Sequence, residues 1–323
     1  MCTAFSCVSK DHYFGRNLDL DHRYKESVTI TPRNYPLKYR HIPALTKHYA
    51  MIGIATIADH FPLYYDGINE MGLCIAALNF PGNAHYPNYD PSKENIATFE
   101  LIPWILSDCK TVVDALQKLQ RINLCNTPFS AALPPTPLHW IISDSRESVT
   151  VEPLSGGIMI TANPVGVLTN NPPFAYHAEN LNNYMNLSPK EPENRFSKQL
   201  ALTPYSLGLG AFGLPGDFSS ASRFVRCAYV KENAIFPDDE EGRVSQVFHI
   251  LNSVTQYDGC VQAHNGYEKT IYSICCNASK GTLYYKTYYN RQITAVNLNH
   301  VDLDQSTLTE YPLIEKQQVY WQN

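Results

Sequence analysis

Four short strands follow one another almost without pause between residues 138 and 168, and this run limits the possible folds more than any other stretch. Leu138–Ser143, Ser148–Glu152, Gly157–Thr161 and Val165–Leu168 are rich in apolar and β-branched residues, with turns at Asp144–Glu147 and Ser155-Gly156. Connections this short cannot hold the crossover that parallel pairing needs, so the strands pair antiparallel. Thr270–Cys276, Thr282–Tyr289 and Gln292–Val296 make a second β-rich group near the C-terminus. Helical spacing falls in separate blocks: Phe99–Leu106, Thr111–Leu119, Arg223–Asn233 and Val244–Val254. In the second of these Val112, Leu116 and Leu119 share a face, and Thr111 is placed to cap it. Clustered antiparallel strands with helices in blocks of their own predict an α+β fold.

Composition narrows the class of protein. A chain of 323 residues with 44% hydrophobic content is long enough to bury about three quarters of its surface. No linker, low-complexity tract or composition break divides it, which predicts one domain over 1–323. The net charge is −5 and the basic residues are scattered, so there is no electrostatic footprint for nucleic acid. Arg33, Lys38, Arg40 and His41 do cluster, but interleaved with Pro32 and Pro36, and they read as a solvated loop. No stretch of about 18 apolar residues predicts a membrane span. Lys10 and Asp11 interrupt any apolar core of a secretion signal. The nine cysteines are an odd number without metal spacing, and Cys275-Cys276 is vicinal. That pattern fits the reduced thiols of a cytoplasmic protein better than a disulfide framework. All but Cys2 read as small core hydrophobes.

Cys2 stands apart because of its place behind Met1. Without Met1 it would carry a thiol and a free α-amine on one carbon. That amine, with a reference pKa of about 7.7–8.0, can take the thiol proton with no histidine partner, as in N-terminal threonine enzymes. A strand over Thr3–Val8, a turn at Ser9–Asp11 and the segment Phe14–Asp21 would pair as a hairpin and bring Arg16 and Asp19 to the chain's start. A guanidinium beside a thiol favours the thiolate, and a carboxylate can hold an α-ammonium. An ordinary surface Arg–Asp pair is the simpler account of those two charges.

With Met-Cys-Thr at the start, FGRNLDL at 14–20, DGINEMGLCIAALNFP at 66–81, GVLTNNP at 166–172 and GLPGDFSSASRFVR at 213–226, the chain resembles the choloylglycine hydrolases. These are the conjugated bile salt hydrolases and penicillin V acylases of the N-terminal nucleophile superfamily. The blocks occur in family order over nearly the whole chain. The resemblance sharpens the fold to an αββα sandwich, two antiparallel sheets between two helical layers. It implies Cys2 as nucleophile and, through its amine, general base. It implies Arg16 as the group that polarises the thiol and Asp19 as the holder of the new α-amino group. Asn79 and Asn170 would form the oxyanion hole, and Arg223 would stabilise charge beside the nucleophile. One such neutral donor is typically worth about 3 kcal/mol of barrier. Both asparagines would also serve as turn residues, and for Asn170-Asn171-Pro172 a turn holds in either case.

The resemblance also bears on substrate. A tyrosine is expected at position 79 in penicillin V acylases, whereas the bile salt hydrolases carry asparagine, as here. Two loops, Asp59–Tyr65 and Pro128–Leu138, are rich in aromatic residues and proline, which suits the rim of a pocket for a large flat apolar ligand. By similarity to the family, Leu18, Tyr24, Ala58, Phe61, Tyr65, Phe129 and Leu133 would face a steroid. The plainer account is that each packs under its own loop. The family is usually tetrameric, and Ser188–Leu209, polar and then apolar, would be the oligomerisation arm.

Other patterns fail on inspection. Gly208, Gly210 and Gly213 fit a dinucleotide fingerprint, but no clear strand precedes them and Pro215-Gly216 would break the helix that must follow. Asn17, Asp19 and Asp21 start like a calcium loop, yet His22 and Val28 stand where glycine and glutamate are needed. The histidines have no ligand spacing, and His139 reads as a satisfied core partner. Asn186-Leu-Ser and Asn277-Ala-Ser match glycosylation sequons that have no use in a cytoplasm. The expectation is therefore a cysteine amidohydrolase that cleaves glycine- or taurine-conjugated bile salts. It would need no metal or organic cofactor and would assemble as a homotetramer. A penicillin V acylase with the same machinery is the alternative. A catalytically idle binding protein is a third reading, opposed by the filling of all six catalytic positions.

Overall fold

The computed structural model describes residues 1–323. Strands β1 (Cys2–Ser9) and β2 (Asp11–Leu20) open the chain, followed by β3 (Ser27–Thr31), β4 (Met51–Ala58), β5 (Phe61–Asn69) and β6 (Cys74–Asn79). A short parallel pair, β7 (Glu94–Ala97) and β8 (Ile122–Cys125), brackets helices α1 (Leu101–Leu106) and α2 (Val112–Leu119). Next come β9 (Leu138–Ser143), β10 (Ser148–Leu154), β11 (Gly157–Ala162), β12 (Val167–Leu168), α3 (Phe174–Asn180), α4 (Ser220–Asn233) and α5 (Glu240–Asn252). A ribbon of β13 (Gln262–Ala263) and β14 (Gly266–Tyr267) leads to β15 (Lys269–Asn277), β16 (Thr282–Thr287), β17 (Thr294–Asn297) and β18 (Thr309–Pro312). No helix is long and apolar enough to cross a membrane.

The long strands make two antiparallel sheets, ordered β12-β1-β2-β15-β16-β17 and β11-β10-β9-β6-β5-β4-β3-β18. Helices α4 and α5 lie on the first sheet, and α1 lies on β5 and β6 of the second. Alternation along the strands produces these layers, because successive side chains point to opposite faces. On the second sheet Ile52, Ile54, Ile68, Ala76 and Leu78 join Ala4, Phe14 and Leu18 in the core between the sheets. Their neighbours Met51, Ile75, Trp140 and Ile142 pack outward with Trp104, Val112 and Leu119 of the helices. The result is the four-layer αββα sandwich expected.

Three expectations change in detail. Val165–Leu168 does not extend the run of strands in its own sheet. The chain turns at Asn163–Gly166, where Pro164 has no N–H to give a ladder and Gly166 takes φ +64°. Only Val167 and Leu168 then remain as strand, and they cross to the first sheet to pair with Phe5 and Ala4. The segment Asp59–Tyr65 is not a loop but a tight hairpin. Asp59 and His60 both adopt positive φ, the conformation of a two-residue turn, and Ala58 pairs with Phe61. Helix α4 begins at Ser220, ahead of the predicted Arg223, because the Ser219 side chain accepts from Ser222 N. Arg223 is thereby set in the first turn. As expected, Thr111 caps α2, in a reciprocal box with Asp114.

Candidate active site

The β1–β2 hairpin builds the site. Cys2 pairs with Leu18 and Ala4 with Arg16, so all four share the face between the sheets, whereas Thr3, Asn17 and Asp19 turn toward the helices. Arg16 is fully buried there. Its Nη1 donates to Asp66 Oδ2 at 2.6 Å and to the Tyr272 hydroxyl at 2.7 Å, and its Nη2 donates to the Ala77 carbonyl at 2.9 Å. The same Nη2 lies 3.5 Å from Cys2 Sγ. Tyr272 completes the triangle by donating to Asp66 Oδ2 at 2.6 Å. Burial works against the charge on Arg16, but Tyr272, Cys2 and Asp66 more than offset it, and the guanidinium stays protonated. Burial also raises the Asp66 carboxyl, opposed by Arg16 and Tyr272. A contact of 2.6 Å to a permanent cation decides the case, and the pair is charged.

The other cysteines differ from Cys2. All nine thiols are free. Burial pushes Cys7, Cys109 and Cys227 up to about 12 and holds Cys74, Cys275 and Cys276 well above the usual thiol range. Cys2 is the one with a guanidinium against its sulfur.

Met1 is present in the structure, so Cys2 N is a peptide nitrogen standing where an α-amine would be. It donates to Asn170 Oδ1 at 2.9 Å, and Arg223 Nη2 donates to the same oxygen at 2.7 Å. Asn170 Nδ2 donates to the Asn79 carbonyl at 2.7 Å. A side-chain amide has two N–H donors, so one remains for a ligand. Asn79 itself, half-buried at the end of β6, offers its carbonyl to this network and makes no side-chain hydrogen bond. Arg223 sits on the opposite side of Cys2 from Arg16. Its Nη1 donates to the Cys2 carbonyl at 2.5 Å and to Thr3 Oγ1 at 2.7 Å, not to the sulfur.

Asp19 is buried one residue past the Cys2–Leu18 pair. Its backbone N–H donates to the Met1 carbonyl at 3.0 Å. Oδ1 accepts from Thr270 Oγ1 at 2.6 Å, and Oδ2 is buried without a partner. Burial pushes its carboxyl up to about 6, against the pull of Arg223, the Met1 ammonium and Thr270. The Met1 ammonium donates to the Asp19 carbonyl at 2.8 Å and to Glu268 Oε2 at 2.5 Å.

The predicted steroid-facing residues divide into two groups. Leu18 is buried beside Cys2, and Tyr65, whose hydroxyl lies 2.9 Å from Thr56 Oγ1, is near enough to Arg16 to feel its charge. Thr56 Oγ1 also donates to the carbonyl of the exposed Tyr24 at 3.0 Å, and Ala58 ends the same strand. Phe61, the cross-strand partner of Ala58, packs together with Phe129 edge-on against Phe99 at 5.6 and 5.1 Å, with Arg40 over Phe129 at 5.1 Å. Both are buried in this cluster, and Leu133 is exposed at its edge. Two concavities of about 420 and 500 Å³ are found away from Cys2. One lies between Leu181–Leu187 and α4, the other around Arg33, Glu70 and Asp108.

Sequence reasoning missed Asp66, Tyr272, Thr270, Ser220 and Glu268. Asp66 heads the block at 66–81 that carries the family resemblance, and that is the signal that could have marked it as a partner for Arg16. Tyr272 and Thr270 come from β15, over 250 positions away from Arg16 and Asp19, and no local signal points to them. Ser220 Oγ accepts from Asn170 N at 2.8 Å, tying the start of α4 to the Asn170 turn.

A family model described as linear amide C–N hydrolases, choloylglycine hydrolase family, matches residues 2–311. A bile salt hydrolase/transferase of Lactiplantibacillus plantarum is 51% identical over 321 residues, 99% of each chain. Another, from Clostridium perfringens, is 37% identical over 96% of each chain. A conjugated bile acid hydrolase structure from Clostridium perfringens superposes with a TM-score of 0.92 at 34% identity, covering 100% of both chains. The penicillin V acylase of Agrobacterium tumefaciens shares the fold, with a TM-score of 0.75 at 19% identity over 96% of this chain and 91% of its own.

Proposed function

The chain belongs to the choloylglycine hydrolase family of linear amide C–N hydrolases, and from that premise we propose that it cleaves glycine- or taurine-conjugated bile salts with Cys2 as nucleophile. Fold alone would not carry this, since one fold hosts many chemistries. The observation that carries it is the pairing of Cys2 Sγ with Arg16 at 3.5 Å while Cys2 N is held on Asn170 Oδ1 at 2.9 Å.

In the proposed sequence, loss of Met1 turns Cys2 N into an α-amine. The amine takes the thiol proton, and Arg16 favours the thiolate. The thiolate attacks the carbonyl carbon joining the steroid acid to glycine or taurine. The free N–H of Asn170 Nδ2 and a group at Asn79 hold the developing oxyanion. The α-ammonium gives its proton to the departing amine, which leaves as the amino acid. Water then adds to the thioester, the α-amine takes its proton, and the sulfur departs. Asp19, whose Oδ2 has no partner, holds the ammonium between steps. Arg223 fixes the Cys2 carbonyl and the acceptor oxygen of Asn170 and so sets the direction of the N-terminus. Leu18, Tyr24, Ala58 and Tyr65 contact the steroid near the scissile bond, with Phe61, Phe129 and Leu133 further out.

Asn79 in place of tyrosine favours bile salts over penicillin V. We assign the protein to the cytoplasm, as one domain over 1–323 that assembles into a homotetramer. The decisive experiment compares wild type with Cys2→Ala on glycocholate, taurocholate and penicillin V, after intact mass has established loss of Met1. Wild type should turn over the conjugates with a higher kcat/KM than penicillin V. Cys2→Ala should fold equally well and release no amino acid. Turnover by Cys2→Ala would end the nucleophile assignment, and a preference for penicillin V would end the substrate assignment.

A further inference from the structure

Two buried histidines that take no part in these steps lie behind Asn170. His139 of β9 donates from Nε2 to the Thr169 carbonyl at 2.9 Å, and His177 of α3 donates from Nε2 to the Asn170 carbonyl at 2.9 Å. Carbonyls only accept, so each Nε2 carries a hydrogen. Each ring also stacks on the neighbour of another site residue. His139 lies parallel to Phe80, next to Asn79, with centroids 4.1 Å apart and a 7° tilt. His177 lies on Phe224, next to Arg223, at 4.9 Å and 15°.

Glu152 of β10 closes the circuit. Its Oε1 is 3.1 Å from His139 Nδ1, and its two carboxylate oxygens accept from Phe174 N at 3.0 and 3.2 Å. Phe174 is the first residue of the helix that carries His177. Both nitrogens of His139 thus face oxygen atoms, Nε2 the Thr169 carbonyl and Nδ1 the Glu152 carboxyl. None of these side chains is more than 2% exposed. These contacts join β9, β10 and the start of α3 through one buried carboxylate, with only His177 Nδ1 left without a partner, and buried polar contacts of this kind hold a geometry.

We propose that His139 and His177 are positioning residues for the oxyanion site: they clamp the Thr169–Asn170 backbone and, through Phe80 and Phe224, seat the Asn79 and Arg223 segments around it. The inference deepens the reading of Asn170 as an oxyanion donor and rests on it. A histidine that only filled the core could be replaced by another ring. This role depends on the Nε2 hydrogen, because a donor acts over a narrow distance window and a misplacement of about 1 Å can cost about a hundredfold in rate.

The test compares mature wild type with His177→Phe, which keeps a ring and loses the donor, and His177→Gln, which keeps an N–H at similar reach. In His177→Phe kcat should fall by about tenfold to a hundredfold with KM little changed, and His177→Gln should recover most of the loss. Alkylation of Cys2 by iodoacetamide should fall by much less than kcat in both, since Arg16, which favours the thiolate, is not held by His177. An unchanged kcat in His177→Phe, a loss that glutamine does not recover, or a parallel loss of thiol alkylation would overturn the proposal. If His177→Phe does not fold, His177→Asn, whose amide is too short to reach the carbonyl, is read against His177→Gln in the same way. Rates are taken on glycocholate and on penicillin V. Wild type active only on penicillin V refutes the substrate reading while the clamp is still tested on that amide. Wild type inactive on both refutes the oxyanion reading, and the clamp falls with it.

Discussion

Arg16 is charged in the middle of the protein because three partners surround it, and its contribution to Cys2 depends on them. Removing Asp66 leaves that charge unpaired in the core. Asp66→Ala should therefore cost about 3–5 kcal/mol, read as a lower urea midpoint, and should slow alkylation of Cys2. An unchanged midpoint would mean that the pair is not charged. Asp19 has the opposite sign. Burial holds its carboxyl at about 6, above the unfolded value of about 3.9, so the folded chain binds the proton more tightly. Its contribution is complete below about pH 4 and is lost as pH rises to about 6. In the form that keeps Met1, Asp19→Asn should remove that decline and stabilise the protein at pH 7 by at most about 3 kcal/mol. Turnover of the mature variant should be abolished. A mature ammonium on Cys2 draws the carboxylate back to its charged form. A decline of full size in mature wild type would therefore argue against Asp19 as its holder.

At the scale of elements, the β1–β2 hairpin brings Cys2 and Arg16 together, and the second sheet supplies the counter-charge. Strands β4 and β5 must approach closely for this. A Cβ at Gly53 would meet the Asp66 carbonyl oxygen at 2.0 Å, a backbone contact that no side-chain rotation relieves. Gly53→Ala should push β5 away, lower stability by about 3 kcal/mol and reduce kcat through Asp66 and Arg16. Wild-type urea midpoint and kcat in this variant would refute the coupling. The crossing of β12 to the first sheet has a similar effect, since the residues that follow it, Thr169 and Asn170, are delivered beside Cys2 instead of the edge of β11.

For the molecule as a whole, the stretch between α3 and α4 carries a large share of the exposed apolar side chains. Met185, Phe196, Tyr205 and Leu207 are each more than 80% exposed, far more apolar surface than an arm in water should hold. The proposed homotetramer would cover it. Sedimentation at micromolar concentration should give a tetramer, and Leu207→Glu with Tyr205→Glu should shift it to smaller species. A tetramer unaffected by the double substitution would place the interface elsewhere.

Much was legible in the sequence alone. Antiparallel strands followed from short turns, helices from spacing and caps such as Thr111, and the hairpin that joins Cys2 to Arg16 from two adjacent strands and a turn. The motif blocks identified the family and the residues now placed around Cys2. These are local signals, spread over a few residues at a time. Tertiary structure alone decided that Asp66 and Tyr272 hold Arg16, that Asn170 takes the Cys2 N–H in the form that keeps Met1, and that Phe61 and Phe129 pack on Phe99. Each of those contacts joins strands or loops distant in the chain, and burial sets its strength. The chain's order encodes neither the approach of two sheets nor the loss of water between them.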